Sequence, residues 1–329
     1  MGSGGHPRGA ARLGVPRRDA PGGTRLAGRL PLSDRRPDAR RGAGPAARRR
    51  TRPRRPRRPP AGRGLPRVHH LARLAALVTK AGRRLRPLVP GEEADGQGFV
   101  DTPARARVWD LTRAGIRAGL DASLARLGVD AVDIVLLHDV EDRLPEVYAT
   151  GFPALAELRD QKAVRAVGFG MNHSDVLARL VADLDVDVVL CAGRWTLLER
   201  TAFDDLLPVC ERRGTSVVVG GVYNSGLLAD PSPGAPYSYA PAAPALLARA
   251  RQPGEICAEF AVPLKAAALR FPFGHPAVDS AVVGAAGPQE AAENAALFAW
   301  EIPDALWHTL VARGLLGPDL PLPLTAPGA

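Results

Sequence analysis

Ala131-Val132-Asp133-Ile134-Val135-Leu136-Leu137-His138-Asp139 is a short apolar run that ends in a titratable side chain. Five of the six residues from Val132 to Leu137 are apolar, the pattern of a strand buried on both faces of a parallel sheet. The run delivers a histidine where it ends, a candidate acid/base group. Taken alone, such a histidine is more often a satisfied structural residue, so its neighbours in the chain decide its meaning.

Working outward, the same alternation recurs. Leu77-Val78-Thr79-Lys80-Ala81-Gly82-Arg83 reads as a short strand closed by a lysine and a glycine turn. A polar loop (90–98) follows, and Asp101-Thr102-Pro103 offers a helix start before Val108, Leu111, Ile116, Leu120, Leu124 and Leu127, with Gly128 as the stop. Beyond His138, helices are expected over 152–162, 174–184, 203–213, 245–260, 264–271 and 288–298, and strands over 163–167, 187–191, 216–219 and 280–283. A long Pro/Tyr loop occupies 230–244. Strand and helix alternate six times within residues 76–329, which predicts an α/β fold with a parallel sheet. At roughly 40 residues per unit, eight units make a (β/α)₈ TIM barrel of usual size. The expected architecture is therefore an incomplete barrel, units 3 to 8, whose first two β/α units are not recognisable.

Residues 1–75 have the length for those two units and the wrong composition. They contain no Ile, Phe, Tyr, Trp, Asn, Gln, Glu, Lys or Cys, and Arg and Pro are densest from Arg48 to Pro60. Such a segment cannot bury enough apolar surface to offset its ordering entropy, which predicts disorder. Residues 1–79 carry 21 Arg and three Asp, a charge of +18, so the chain's +10 leaves −8 for residues 80–329. The basic character belongs to the N-terminal stretch alone. One origin is a genuine basic arm, which would bind nucleic acid through its phosphates, although aromatic side chains for base stacking are missing. The other is GC-rich coding DNA read out of frame, since Arg, Pro, Gly and Ala have codons rich in G and C. Composition favours the second.

Three cysteines, Cys191, Cys210 and Cys257, form no C-x-x-C pair and no metal-ligand spacing, so buried free thiols and no metal are expected. No apolar run reaches the ~18 residues that cross a bilayer, and the N-terminus lacks a signal-peptide core. A cytoplasmic location and no membrane partner are the expectations.

Several stretches, in order, resemble the aldo-keto reductase family, and within it the branch of D-threo-aldose (L-fucose) 1-dehydrogenases. They are Thr79-Lys80-Ala81-Gly82-Arg83, Asp133 to Asp139, Val167-Gly168-Phe169-Gly170-Met171-Asn172, Tyr223 to Ala229, Phe273 to Val278 and Val283-Gly284-Ala285-Ala286 with Glu293-Asn294. The resemblance implies hydride transfer between a nicotinamide cofactor and a carbonyl or hemiacetal carbon, with a small sugar or aldehyde as substrate. Lys80 matches the family's lysine, whose charge lowers a tyrosine phenol's pKa, and His138 matches the histidine that orients the reacting oxygen.

The family's remaining Asp and Tyr lie in its first two units, in a motif close to D-T-A-x-x-Y-G. This chain has no tyrosine before Tyr148, so the resemblance implies an enzyme that is essentially inactive as written. The alternative is a non-catalytic nucleotide-binding or nucleic-acid-associated protein.

For the cofactor, Asn172 resembles the nicotinamide contact. Gly220, Gly221 and the loop Asn224-Ser225-Gly226-Leu227 follow the seventh barrel strand. Gly284, Glu290, Glu293 and Asn294 follow the eighth, where such loops and helix N-termini hold phosphate. Gly284 and Glu290 stand where NADP-preferring relatives place Lys and Arg, and a carboxylate there repels a 2′-phosphate. NAD is therefore expected over NADP. Trp109, Tyr148, Trp195, Tyr237 and Tyr239 could form a sugar-stacking wall, but aromatics in long loops are as often packing residues that cover a barrel rim, so none is assigned a role.

Translation of the coding DNA for residues 1–75 in its other two frames is expected to reveal two strand-like segments and a D-T-A-x-x-Y-G-like motif. Incoherent sequence in both frames would favour a genuine arm.

Overall fold

The structure, a computed structural model, describes residues 76–92, 104–237 and 240–325. The segment 1–75, the helix start expected at Asp101-Thr102-Pro103 and Tyr239 lie outside these residues.

In chain order, β1 (Val78–Ala81) is followed at once by a hairpin of β2 (Arg83–Pro87) and β3 (Arg105–Trp109), then by α1 (Arg113–Leu127) and β4 (Ile134–His138). Next come α2 (Leu144–Glu146), a π-helical turn Val147–Gly151, α3 (Phe152–Asp160), β5 (Ala166–Met171), α4 (Ser174–Asp183), β6 (Val188–Ala192), α5 (Leu206–Arg213) and β7 (Ser216–Gly220). The chain closes through β8 (Pro236–Tyr237), β9 (Ala240–Pro241), α6 (Pro244–Glu259), α7 (Leu264–Arg270), β10 (Val278–Val282), α8 (Pro288–Phe298) and α9 (Asp304–Ala312).

Six strands pair in the order β1-β4-β5-β6-β7-β10, every neighbour parallel. This is the expected run of six barrel units. Among the described residues β1 and β10 do not pair with each other, so the sheet is not closed.

Two expectations are corrected. Val108 belongs to β3, whose residues pair antiparallel with β2 from Arg83↔Trp109 to Pro87↔Arg105; the helix begins only after Thr112, whose hydroxyl accepts from the Gly115 N–H at 3.0 Å. A β-branched residue and a tryptophan in succession suit a strand, and Thr112 supplies the N-cap. The second is the strand expected over 163–167, which is β5 and runs on through Gly168 and Gly170 to Met171; α9, whose Leu306, Trp307 and Leu310 are fully buried, answers to no expected element.

Ladder register fixes the two faces of the sheet, because side chains alternate along a strand. Val135, Leu137, Phe169, Met171, Val189, Cys191, Val217 and Val219 are all buried and share one core with Ile116, Leu155, Leu180 and Leu206 of the helices. The opposite face carries Lys80, Leu136, His138, Gly168, Gly170, Leu190, Ala192, Val218, Gly220 and Val282. That face is the inside of the barrel. There Leu190, Ala192 and Val218 are only half-buried and Val282 is exposed. At the N-terminal ends of the strands, aspartates tie neighbours together: Asp133 accepts from the Leu77 N–H at 2.8 Å, and Asp187 accepts from the Val167 N–H at 2.9 Å.

On the inner face Gly168 permits close packing of β5 on β6, since a Cβ there would lie 1.7 Å from the Val188 carbonyl oxygen. Gly168→Ala is expected to cost about 2–3 kcal/mol, whereas Gly170→Ala, whose nearest contact would be 3.5 Å, costs under about 1 kcal/mol. Urea unfolding of the two variants checks the ranking.

Burial also pushes the thiols of Cys191, Cys210 and Cys257 up to about 12 from the ordinary 9.0. The folded chain therefore keeps protons that the unfolded chain has lost at alkaline pH. Their contribution to stability is complete below the unfolded value and is lost as pH rises toward 12. The urea midpoint is expected to fall between about pH 8 and about pH 11; an unchanged midpoint would mean that the thiols reach solvent.

Candidate active site

The C-terminal ends of β1, β4, β5 and β6 surround a cavity of about 700 Å³ whose lining includes Lys80, His138, Asn172 and Ala192. Lys80 pairs with Leu136 and His138 with Gly170, so Lys80, His138 and Asn172 emerge on one face as the strands end. The sheet thus brings together three residues that lie far apart in the chain. Lys80 and Asn172 are exposed and His138 is half-buried.

His138 does not stand alone. Its Nδ1 lies 2.8 Å from Oδ2 of Asp139, and Arg83 donates to the same Oδ2 at 3.2 Å and to the Asp139 carbonyl at 3.4 Å. Burial works to raise the Asp139 pKa, but the His138 imidazole and the Arg83 guanidinium outweigh it and hold the carboxyl below the ordinary carboxylate value. On the far wall, His173 Nδ1 sits 3.6 Å from Glu141 Oε1, and Arg194 donates from Nε to the Asn172 carbonyl at 2.7 Å.

A second cluster follows β7 and β10. Gly220, at the end of β7, pairs with Ala192, and Val282 of β10 pairs with Gly220, so this cluster continues the same sheet face. Gly221, Asn224, Ser225 and Gly226 all have φ between +48° and +97°, a backbone region that costs energy for the Asn and the Ser. Tyr223 donates its hydroxyl to Asn294 Oδ1 at 3.0 Å, and Asn294 donates to the Gly284 carbonyl at 3.4 Å. These bonds join the loop after β7 to the loop after β10. Glu290 accepts from the Ala286 N–H at 2.6 Å, and Glu293 pairs with Lys265 at 2.7 Å. Leu227 is fully buried, so its side chain belongs to the core and only its backbone can face a ligand.

The sequence profile of the Aldo/keto reductase family matches residues 91–312. The chain belongs to this family. It is 40% identical over 245 residues to a D-threo-aldose 1-dehydrogenase from a Pseudomonas species, covering 72% of this chain and 74% of that protein. It is 34% identical to a pyridoxal 4-dehydrogenase from Microbacterium luteolum, covering 72% of each. Among solved structures, an aldo-keto reductase from Bacillus halodurans in its holo form superposes with a TM-score of 0.56 at 19% identity, covering 77% of this chain and 76% of the other. A glycerol dehydrogenase from Gluconobacter oxydans gives 0.55 at 20% identity, covering 79% and 78%. The two structural likenesses establish the barrel fold.

For an aldo-keto reductase, the tyrosines are conspicuous. None of Tyr148, Tyr223 and Tyr237 lines the cavity: Tyr148 donates to Asp183 at 2.7 Å and Tyr223 is tied to Asn294. Two of the tryptophans are engaged within the protein. Trp195 is completely buried, with Nε1 donating to the Pro272 carbonyl at 2.9 Å, and Trp109 has the Arg83 guanidinium 4.2 Å over its ring. Sequence reasoning missed Arg83, Asp139 and Glu141 as cavity residues, although the first two are the last residues of its own motifs. Among the described residues no group of three or more His, Cys, Asp and Glu could hold a metal ion, and no helix is long and apolar enough to cross a membrane.

Burial and the charges of Glu293 and Glu290 push the Tyr223 phenol up to about 12, which keeps it a hydrogen-bond donor. Tyr223→Phe is expected to cost about 1 kcal/mol and to speed amide exchange in the loop 283–287. Unchanged exchange there would show that the two loops are held by other contacts.

Proposed function

We propose that this chain is an NAD-dependent aldo-keto reductase of the aldose dehydrogenase type, acting on a sugar such as L-fucose at C1 to give the lactone, and strongly impaired as written. One observation carries the reading: Lys80, His138 and Asn172 share one sheet face and one cavity at the strand ends where a barrel does its chemistry. The aldose 1-dehydrogenase and the pyridoxal 4-dehydrogenase to which the chain is similar support the substrate class. An aldose and pyridoxal both form cyclic hemiacetals, and oxidation of a hemiacetal carbon yields a lactone.

The residues fit a dinucleotide. Asn224 Oδ1 is buried without a partner among the described residues, and a Cβ at Gly226, Gly284 or Gly287 would meet nothing within 4 Å, so backbone is open to phosphate and ribose. Gly220, Gly221 and the loop Asn224–Leu227 would hold the diphosphate, Gly284 and Glu290 the ribose, Glu293 and Asn294 the adenine, and Asn172 the carboxamide. The bound nicotinamide supplies the hydride acceptor. His138 orients the sugar's hydroxyl, and Lys80 sets a positive charge beside the oxygen that loses its proton. Glu290, already bonded to the Ala286 N–H, adds negative charge where a 2′-phosphate would lie, which favours NAD over NADP.

The impairment follows from chemistry. Loss of a general acid/base costs about two to four powers of ten in rate, and no tyrosine precedes Tyr148. That same absence favours a second reading, a non-catalytic nucleotide-binding protein with a basic arm. We divide the chain at residue 75, with the barrel beyond it, and assign it to the cytoplasm, where three buried free thiols stay reduced.

Two measurements test these assignments. Turnover of L-fucose with NAD⁺ is expected at about two to four powers of ten below that of intact relatives; a comparable rate would refute the impairment. Fluorescence titration is expected to show NADH binding at least about tenfold tighter than NADPH, and the reverse order would sink the cofactor assignment.

A further inference from the structure

His138 and Asp139 are neighbours in the chain, and in an extended strand neighbouring side chains point to opposite faces. They meet here because Asp139 leaves β4 with φ at +49°, which swings its carboxylate round to the imidazole. The turn is held by the Asp139 N–H donating to the Gly170 carbonyl at 3.0 Å. A second left-handed residue, Gly82 at φ +106°, turns the neighbouring strand into the β2–β3 hairpin and delivers Arg83 to the same carboxylate. Arg83 stands directly opposite Trp109 in that hairpin and stacks on its ring, a cation–π contact that fixes the guanidinium. Trp109, Arg83, Asp139 and His138 therefore form one chain of contacts ending at the cavity.

Resting on the function proposed above, we propose that Asp139, clamped by Arg83, is the positioning residue that makes His138 the proton acceptor of this site. The carboxylate binds the proton of Nδ1 and leaves Nε2 with a lone pair, as an orienting carboxylate does for a catalytic histidine elsewhere. In the oxidation of an aldose hemiacetal, the C1–H bond would break and a bound oxidised nicotinamide would accept its hydride. The anomeric O–H bond breaks, its proton goes to Nε2, and the freed electron pair becomes the lactone carbonyl. The proton thus has a destination in a chain without the family's tyrosine.

The test uses the full chain labelled with ¹⁵N-histidine. Long-range ¹H–¹⁵N spectra of neutral His138 are expected to show the proton on Nδ1, and Asp139→Ala to move it to Nε2, with Asp139→Glu restoring the wild-type pattern. The slow turnover of L-fucose is expected to fall a further tenfold or so in Asp139→Ala with KM little changed, and not to fall again when that change is added to His138→Gln. A proton on Nε2 in the wild-type chain, or equal turnover with and without the Asp139 carboxylate, would overturn the proposal. The tautomer spectrum needs neither cofactor nor sugar, so a chain that failed to bind NAD⁺ would refute the proposed function without obscuring the result at Asp139.

Discussion

Register of the parallel ladder is the constraint on which the rest of this molecule depends. Because side chains alternate along each strand, a shift of one residue in β4 would exchange His138 for the fully buried Leu137 and move the cavity-lining face into the core. The aspartates at the strand starts guard against that. Asp133 and Asp187 each accept a backbone N–H from a neighbouring strand, and Asp187 is held in turn by two bonds from Arg159 at 2.9 Å. Side chains at the base of the sheet thus set what appears at its mouth.

The fold was legible wherever the periodicity was strong. The apolar runs of β4 to β7 can be buried only between layers, and their spacing from the amphipathic helices leaves little choice but a parallel sheet. It was least legible near Val108, which falls on a helical spacing with Leu111, and only the pairing of Arg83 with Trp109 decides for a hairpin. No local propensity announces a partner some two dozen residues away.

Of the candidate site, Lys80 and His138 could be named from sequence because they end apolar runs and match a family pattern, and both line one cavity. The loop Asn224–Leu227 was readable as a turn, while its run of left-handed residues was not. Arg83 and Asp139 were unreadable for a simple reason: both owe their positions to positive φ, and the tendency of a strand is to point consecutive side chains apart. Trp195 was open to two readings. A tryptophan in a loop suits a binding wall, but its N–H finds the Pro272 carbonyl inside the core, which removes the cost of burying it.

The order β1-β4-β5-β6-β7-β10 follows the order of the chain, and this has a kinetic meaning. Each strand of the sheet pairs with the sheet strand before it in the chain, across helical segments and, for β1–β4 and β7–β10, a hairpin as well, so no pairing has to close a loop as long as the whole sheet. In a complete barrel the slowest encounter is the seam between first and last strands, the pair most distant along the chain. Among the described residues β1 and β10 do not pair, so every pairing in this sheet joins strands that are consecutive within it along the chain.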